Sequence, residues 1–263
     1  MAGKKETAKR DLSFFNQVEH LNAPFGNTSI NMPVFYYDIT TINVAFLTPL
    51  KKICALLPSP RMCPLRATPW HAVTAITCFE YRDCDAGPYN EVSISFPITI
   101  DRPAPILTGL FRHITEGPMT YVHHLPVTTD IAHKFGIDFY NYPKFIANID
   151  FKNEDGWLSC RLAEDSTHIL TLSVRKIPVK DFDRWRFHGI TFRDGRILRS
   201  EAIINVRKQA ISRNPADVKL ELGDHAISQE LRDLHLGRMI HFQYMPENQA
   251  ILTPVLESYP ESR

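Results

Sequence analysis

Lys144 is the only charged residue between Asp138 and Asp150, set in the run Phe139-Tyr140-Asn141-Tyr142-Pro143-Lys144-Phe145-Ile146-Ala147. Four aromatic rings and a proline are poor surroundings for an ammonium that prefers water. In water a lysine amine is neutral in only about one molecule in a few thousand at pH 7. Burial among apolar groups disfavours the charged form, and the neutral amine attacks ketones, so this segment suits imine chemistry. The plainer reading is a lysine whose stem crosses apolar surface while its head stays in water. Upstream, Glu91 shares one face of an alternating stretch with Ser93 and Ser95, while Val92, Ile94 and Phe96 share the other. A carboxylate there either lines a site or faces solvent. The adjacent His123 and His124 invite a metal reading. On a strand, however, neighbours point to opposite faces and no spaced partner completes a ligand set, so no metal is expected.

The elements that must hold these residues read as mainly β. Val34 to Phe46 is aromatic and β-branched, which predicts a strand. Thr48 as N-cap and Pro49 at the first helical position predict a short helix with the stripe Leu50, Ile53, Cys54 and Leu57, stopped by Pro58. Ala72 to Tyr81 and Glu91 to Ile100 form a predicted antiparallel pair around a turn at Gly87-Pro88. Thr128-Thr129-Asp130 caps a helix expected to end at Gly136 and to deliver the chain to Tyr142-Pro143, with Lys144 opening the next strand. Two hairpins follow, turning at Asn153 to Gly156 and at Asp194-Gly195, with a further strand from His168 to Lys176. Turn signals every ~8 to 12 residues with few helices predict a large, mainly antiparallel sheet or barrel.

With 263 residues and 44% hydrophobic content, the chain can bury a large core. One domain over residues 23–263 is expected, preceded by a basic, loosely held arm over residues 1–22. Thirty basic against 29 acidic side chains leave no global field for nucleic acid or an anionic membrane. The five cysteines are odd in number and show no CxxC pairing, which predicts reduced thiols in a cytoplasmic protein. No apolar run approaches the ~20 residues of a membrane span. No GxGxxG follows a strand, which argues against flavin or nicotinamide chemistry, and no cofactor is expected.

The run Asn141 to Ala147 resembles the signature of the acetoacetate decarboxylase superfamily, in which a Tyr-Pro-Lys triplet ends with the Schiff-base lysine. Gly87-Pro88-Tyr89-Asn90-Glu91-Val92 resembles that family's active-site glutamate segment. Leu220-Glu221-Leu222-Gly223-Asp224-His225-Ala226, with the Leu231 to Met239 region, resembles its closing segment. The resemblance spans about Pro24 to Tyr259. It implies a cone-like β-barrel with peripheral helices and an interior pocket, a homo-oligomer, and Lys144 and Glu91 as catalytic residues. Tyr142 and Phe145 would supply part of the pocket. The implied function is that of a Schiff-base lyase acting on a small keto acid, by decarboxylation or by related aldolase, dehydratase or cyclase chemistry. The alternative is a barrel that binds a small molecule without catalysis.

This chain also departs from the pattern. Acetoacetate decarboxylase is itself the general example of a lysine activated by a hydrophobic pocket or a second cation. Here the position after the lysine is Phe145, so the neighbouring cation is missing. Counting without gaps puts Ile76 where the family's decarboxylases have another glutamate and Ile39 where they have an arginine. Glu80, Arg82, Arg112 and His123 are the candidates to compensate in binding substrate.

Overall fold

Residues 10–26, 28–104 and 117–260 are described by the computed structural model. A hairpin of β1 (Leu21–Phe25) and β2 (Thr28–Met32) precedes β3 (Val34–Pro49), the helix α1 (Leu50–Leu56), β4 (Met62–Pro64), β5 (His71–Cys84) and β6 (Tyr89–Ile100). Then come β7 (Met119–His124), α2 (Asp130–Tyr140), and the meander β8 (Asn148–Glu154), β9 (Trp157–Glu164) and β10 (Thr167–Arg175). The long hairpin β11 (Lys180–Arg193) and β12 (Arg196–Ser212) leads to β13 (Val218–Leu222), α3 (Ala226–Asp233), β14 (Met239–Leu252) and β15 (Glu257–Pro260).

Seven strands close into a barrel in the order β11-β7-β6-β5-β3-β14-β12, with β12 pairing back onto β11. The β7–β11 pair is parallel and its neighbours are antiparallel, so the barrel is mixed. Closure satisfies the backbone groups that an open sheet would leave at its edges. A second sheet, β13-β10-β9-β8, lies beside it. The mostly β architecture with a few short helices agrees with the sequence expectation.

Alternation along the barrel strands divides the apolar residues between two cores. Ile94 and Phe96 of β6 face outward and pack with Ile149, Leu162 and Leu172 of the second sheet and Ile227 and Leu231 of α3. Tyr36, Ile39, Tyr81 and Tyr89 face the other way and pack with Phe135, Tyr140 and Tyr142. Phe14 and Phe15, in the described part of the N-terminal segment, are buried against Phe35 and Ile251. No helix among the described residues is long and apolar enough to cross a membrane.

Local chemistry differs from the sequence expectation at several points. Thr48 does not cap α1, because its hydroxyl bonds to that of Thr74 at 2.7 Å across the β3–β5 pair. Cys54 is exposed instead of joining the apolar stripe. Helix α2 runs straight through Gly136 to Tyr140. Lys144 lies in an extended segment between α2 and β8, and the strand itself begins only at Asn148.

Candidate active site

Helix α2 is fixed at both ends, and that fixes Lys144. At its start the Thr129 hydroxyl accepts from the Ala132 N–H, and Asp130 sits in the first turn where negative charge complements the helix dipole. At its end Asn141 takes the left-handed conformation, φ 53°, and the Tyr142 N–H closes onto the Gly136 carbonyl at 3.0 Å. The Asn141 amide donates to Phe192 O at 2.8 Å and the Thr191 hydroxyl to Tyr140 O at 2.8 Å, tying this turn to β11. Pro143 then keeps the chain extended, and Lys144 folds back across the helix it has just left. A Cβ at Gly136 would lie 2.4 Å from Lys144 Cε, so glycine is the residue that lets the lysine stem pass. A Cβ at Gly189 would likewise lie 2.5 Å from the Tyr142 hydroxyl, which instead bonds to Ser200 Oγ at 2.8 Å.

The Lys144 amine ends 2.8 Å from Glu91 Oε2, with the two side chains 2% and 8% exposed. The other carboxylate oxygen accepts from the Tyr81 hydroxyl at 3.2 Å. Around the amine stand the rings of Tyr89, Phe135 and Tyr142, at 5.5, 5.8 and 5.9 Å to their centroids, within reach of a cation–π attraction. Tyr36 and Tyr89 share a hydroxyl contact of 3.2 Å. Burial first, and the charge of Glu91 second, push the Tyr81 phenol well above its ordinary value. Burial, then Tyr36 and Glu91, do the same to Tyr89. Both phenols therefore stay protonated, and that of Tyr81 donates to Glu91. Burial also raises Tyr142, partly offset by its bond to Ser200. A cavity of about 310 Å³ opens beside this cluster, lined by Lys144, Tyr142, Pro143, Tyr121, Val122 and Phe192 among others. That is the size of a site for a small molecule.

The structure thus brings together Lys144, Glu91 and Tyr142. Phe145 is not with them: it packs against the outer core, because successive side chains of an extended segment point to opposite sides. Arg82 is on the outer face of β5, held by both carboxylate oxygens of Asp38, by Glu80 at 3.0 Å and by Thr40. Glu80 is spent in the same network. His123 bonds to Glu230 of α3 at 2.9 Å, and His124 bonds to the same oxygen at 2.9 Å. Burial alone would raise the Glu230 carboxyl, but the two imidazole hydrogen bonds outweigh it and bring it down to about 2. The expectation that the histidines diverge fails because β7 is bulged at this point. Arg112 lies outside the described residues. Ile39 packs in the aromatic core around Lys144, so no cation stands at that position, whereas Ile76 belongs to the outer core.

Sequence reasoning did not assign Tyr36, Tyr81, Tyr89, Phe135, Ser200 or Gly136 to the site. Tyr89 was within its reach, two residues before Glu91 on the same strand face. Tyr81 follows from Tyr89, because the two are directly paired across β5 and β6.

The family model for acetoacetate decarboxylase (ADC) matches residues 21–254 of the chain. No curated protein matches the sequence. Among solved structures, one of an acetoacetate decarboxylase is 16% identical over 90% of this chain and 92% of its own, with a TM-score of 0.63. The acetoacetate decarboxylase of Legionella pneumophila subsp. pneumophila str. Philadelphia 1 is 14% identical over 86% and 88% of the two chains, with a TM-score of 0.62. The enduracididine biosynthesis enzyme MppR, complexed with the condensation product of pyruvate and imidazole 4-carboxaldehyde, is 12% identical over 87% and 88%, with a TM-score of 0.59. At these identities the likeness is one of fold.

Proposed function

The chain belongs to the acetoacetate decarboxylase family, and from that premise we propose that it is a carbon–carbon lyase working through an iminium on Lys144 with a small keto acid as substrate. The observation that carries this reading is the contact of the nearly sealed Lys144 amine with Glu91 at 2.8 Å beneath aromatic rings. An ammonium is not a nucleophile. Passing its proton to Glu91 gives an amine and a carboxylic acid, both neutral, which a desolvated pocket tolerates better than separated charges. The amine adds to the ketone carbon, Glu91 gives its proton to the departing hydroxyl so that it leaves as water, and the iminium nitrogen then accepts the electron pair released when the adjacent carbon–carbon bond breaks. Glu91 takes up a proton from solvent and delivers it to the enamine carbon, and hydrolysis of the resulting iminium frees the product and leaves the ammonium and carboxylate of the starting pair. Tyr81 holds the second oxygen of Glu91 so that the first stays on the amine. Decarboxylation and the related aldolase, dehydratase and cyclase reactions share this path up to the iminium. That relatives of the fold include an acetoacetate decarboxylase and an enzyme complexed with a pyruvate-derived compound supports a keto-acid substrate.

One observation favours the second reading, a pocket that binds without catalysis. A substrate carboxylate wants a cation, yet Arg82 is spent outside the barrel and Ile39 is apolar. Borohydride trapping separates the two. Wild type and Lys144→Ala are incubated with pyruvate, acetoacetate and a small β-diketone, reduced, and weighed by intact-protein mass spectrometry. The expected result is a reduced adduct on wild type alone. Adduct that persists in Lys144→Ala excludes Lys144 as nucleophile. Absence of adduct at every pH where wild type stays folded leaves the binding reading.

A further inference from the structure

Strand β7 carries a second constellation on its other face. The pairing of β7 with β6 sets Val122 opposite Ser95 and His124 opposite Ile94, so two steps on β7 answer one on β6 and His123 is the extra residue of a bulge. A bulge re-aims a side chain, and here it swings both imidazoles to one side, their centroids 4.3 Å apart at 58°. Both Nε2 atoms lie 2.9 Å from the same oxygen of Glu230, which α3 brings across from the outer core. The three potential ligand atoms fall within 4.8 Å of one another.

We propose that His123, His124 and Glu230 form a binding site for a divalent transition-metal ion, with zinc as the best match. Two imidazole nitrogens and one carboxylate oxygen are a donor set that zinc takes in three-ligand sites, leaving a fourth position open. Calcium and magnesium want oxygen ligands and are poorly served here. Tetrahedral zinc with bonds of ~2.0–2.1 Å holds its ligand atoms about 3.3 Å apart. Opening the present contacts by a few tenths of an ångström makes that room. Coordination replaces two N–H···O bonds by one dication, each neutral ring then binding through Nε2 and carrying its hydrogen on Nδ1. The supports are firm: the His123 ring packs on Phe96 at 5.2 Å, and Glu230 sits one residue before the fully buried Leu231. The side chains of His123, His124 and Glu230 are 14%, 23% and 30% exposed, enough to admit an ion and leave its open position facing water. None of the three side chains lines the cavity beside Lys144, although Tyr121, whose ring lies 6.1 Å from that of His123, does. A bound ion would clamp α3 onto the barrel.

The test uses the untagged full chain, stripped with a chelator and dialysed. Titration with Zn²⁺ against a chromogenic chelator is expected to show one equivalent bound. Co²⁺ is expected to give the visible absorption of a low-coordinate nitrogen and oxygen site, and Zn²⁺ to raise the melting temperature. His124→Ala and Glu230→Gln are each expected to weaken zinc binding by about 100-fold or more, since losing even an outer partner of a ligand costs ~10–100-fold. His71→Ala, remote from the cluster, is the control and should bind as wild type. Failure of wild type to bind one equivalent overturns the proposal, as does unchanged affinity in both cluster variants. Should those variants not fold, anomalous scattering at the zinc edge from wild-type crystals decides: an ion between the three side chains supports the site, and an ion anywhere else or none sinks it.

Discussion

Two charge networks lie on opposite faces of the same β5–β6 ribbon. Inside, Glu91 stands opposite Phe79 and pairs with Lys144 among tyrosines, with the two side chains 8% and 2% exposed. Outside, Arg82 is pinned between Asp38 and Glu80, with side chains a third to a half exposed. The bonds are similar in length, but the surroundings set different energies. In water-like dielectric an ion pair contributes little, while inside the barrel neither partner can be removed without stranding the other. Strong sheet pairing and a full apolar core let the fold carry such a pair, so the inner network is better explained by chemistry than by stability.

The sharpest way to break this contrast is to remove one inner partner. Glu91→Leu should cost about 3–5 kcal/mol, because Lys144 is left buried without a counter-charge and Tyr81 loses its acceptor. Adding Lys144→Met should recover most of that loss, since replacing a whole buried pair with apolar side chains is often neutral or better. Urea unfolding of wild type, both single variants and the double variant measures it. A cost under about 1 kcal/mol for Glu91→Leu would mean the inner pair behaves like a surface one.

The inner pair was legible through the family resemblance: the local signals, a lone charge in an aromatic run and a carboxylate on the polar side of an alternating strand, each left a surface reading open. What needed the fold was everything set by a break in periodicity. The bulge in β7 turned two histidines expected to diverge into neighbours. Strand β14, central between β3 and β12, was passed over because Pro246 and register shifts near Met245 and Asn248 interrupt its alternation. Arg82 and His123 looked available only because their carboxylate partners, Asp38 and Glu230, are distant in sequence. Gly136 carried a true signal that admitted two meanings, a helix stop or room for something to cross, and only the return of Lys144 over α2 chooses between them.

That glycine gives the next test. Gly136→Ala gains about 1 kcal/mol of helix propensity but forces a methyl into the lysine stem, an overpacking that costs ~1–3 kcal/mol. The stem cannot swing aside while its head is held by Glu91 and three rings, so a net loss of about 1–2 kcal/mol is expected, with slower adduct trapping. In a Lys144→Ala background the obstacle is gone, and the same substitution should become stabilising by about 1 kcal/mol. Thermal and urea unfolding of the four proteins reads this reversal of sign. If Gly136→Ala has the same effect in both backgrounds, the lysine does not cross the helix where the structure puts it.

The smallest effect belongs to the outer network. Arg82→Met removes the two-pronged contact with Asp38 and the bond to Glu80, but at this exposure such pairs are worth about 0–1 kcal/mol. The donation of Arg82 to the Pro246 carbonyl of β14 places the expected loss toward the upper end of that range. Part of it should vanish in ~1 M salt, where the Debye length is about 3 Å and exposed charges are screened. Adduct formation with the keto-acid panel should be unchanged, because Arg82 bonds to Asp38 and Glu80 on the outer face of β5 while the amine pairs with Glu91 inside. A drop in trapping comparable to that of a Glu91 variant would show that charge outside the barrel acts on the lysine inside it. The separation of the two faces would then fail at the one residue whose sequence position made it a candidate for the site.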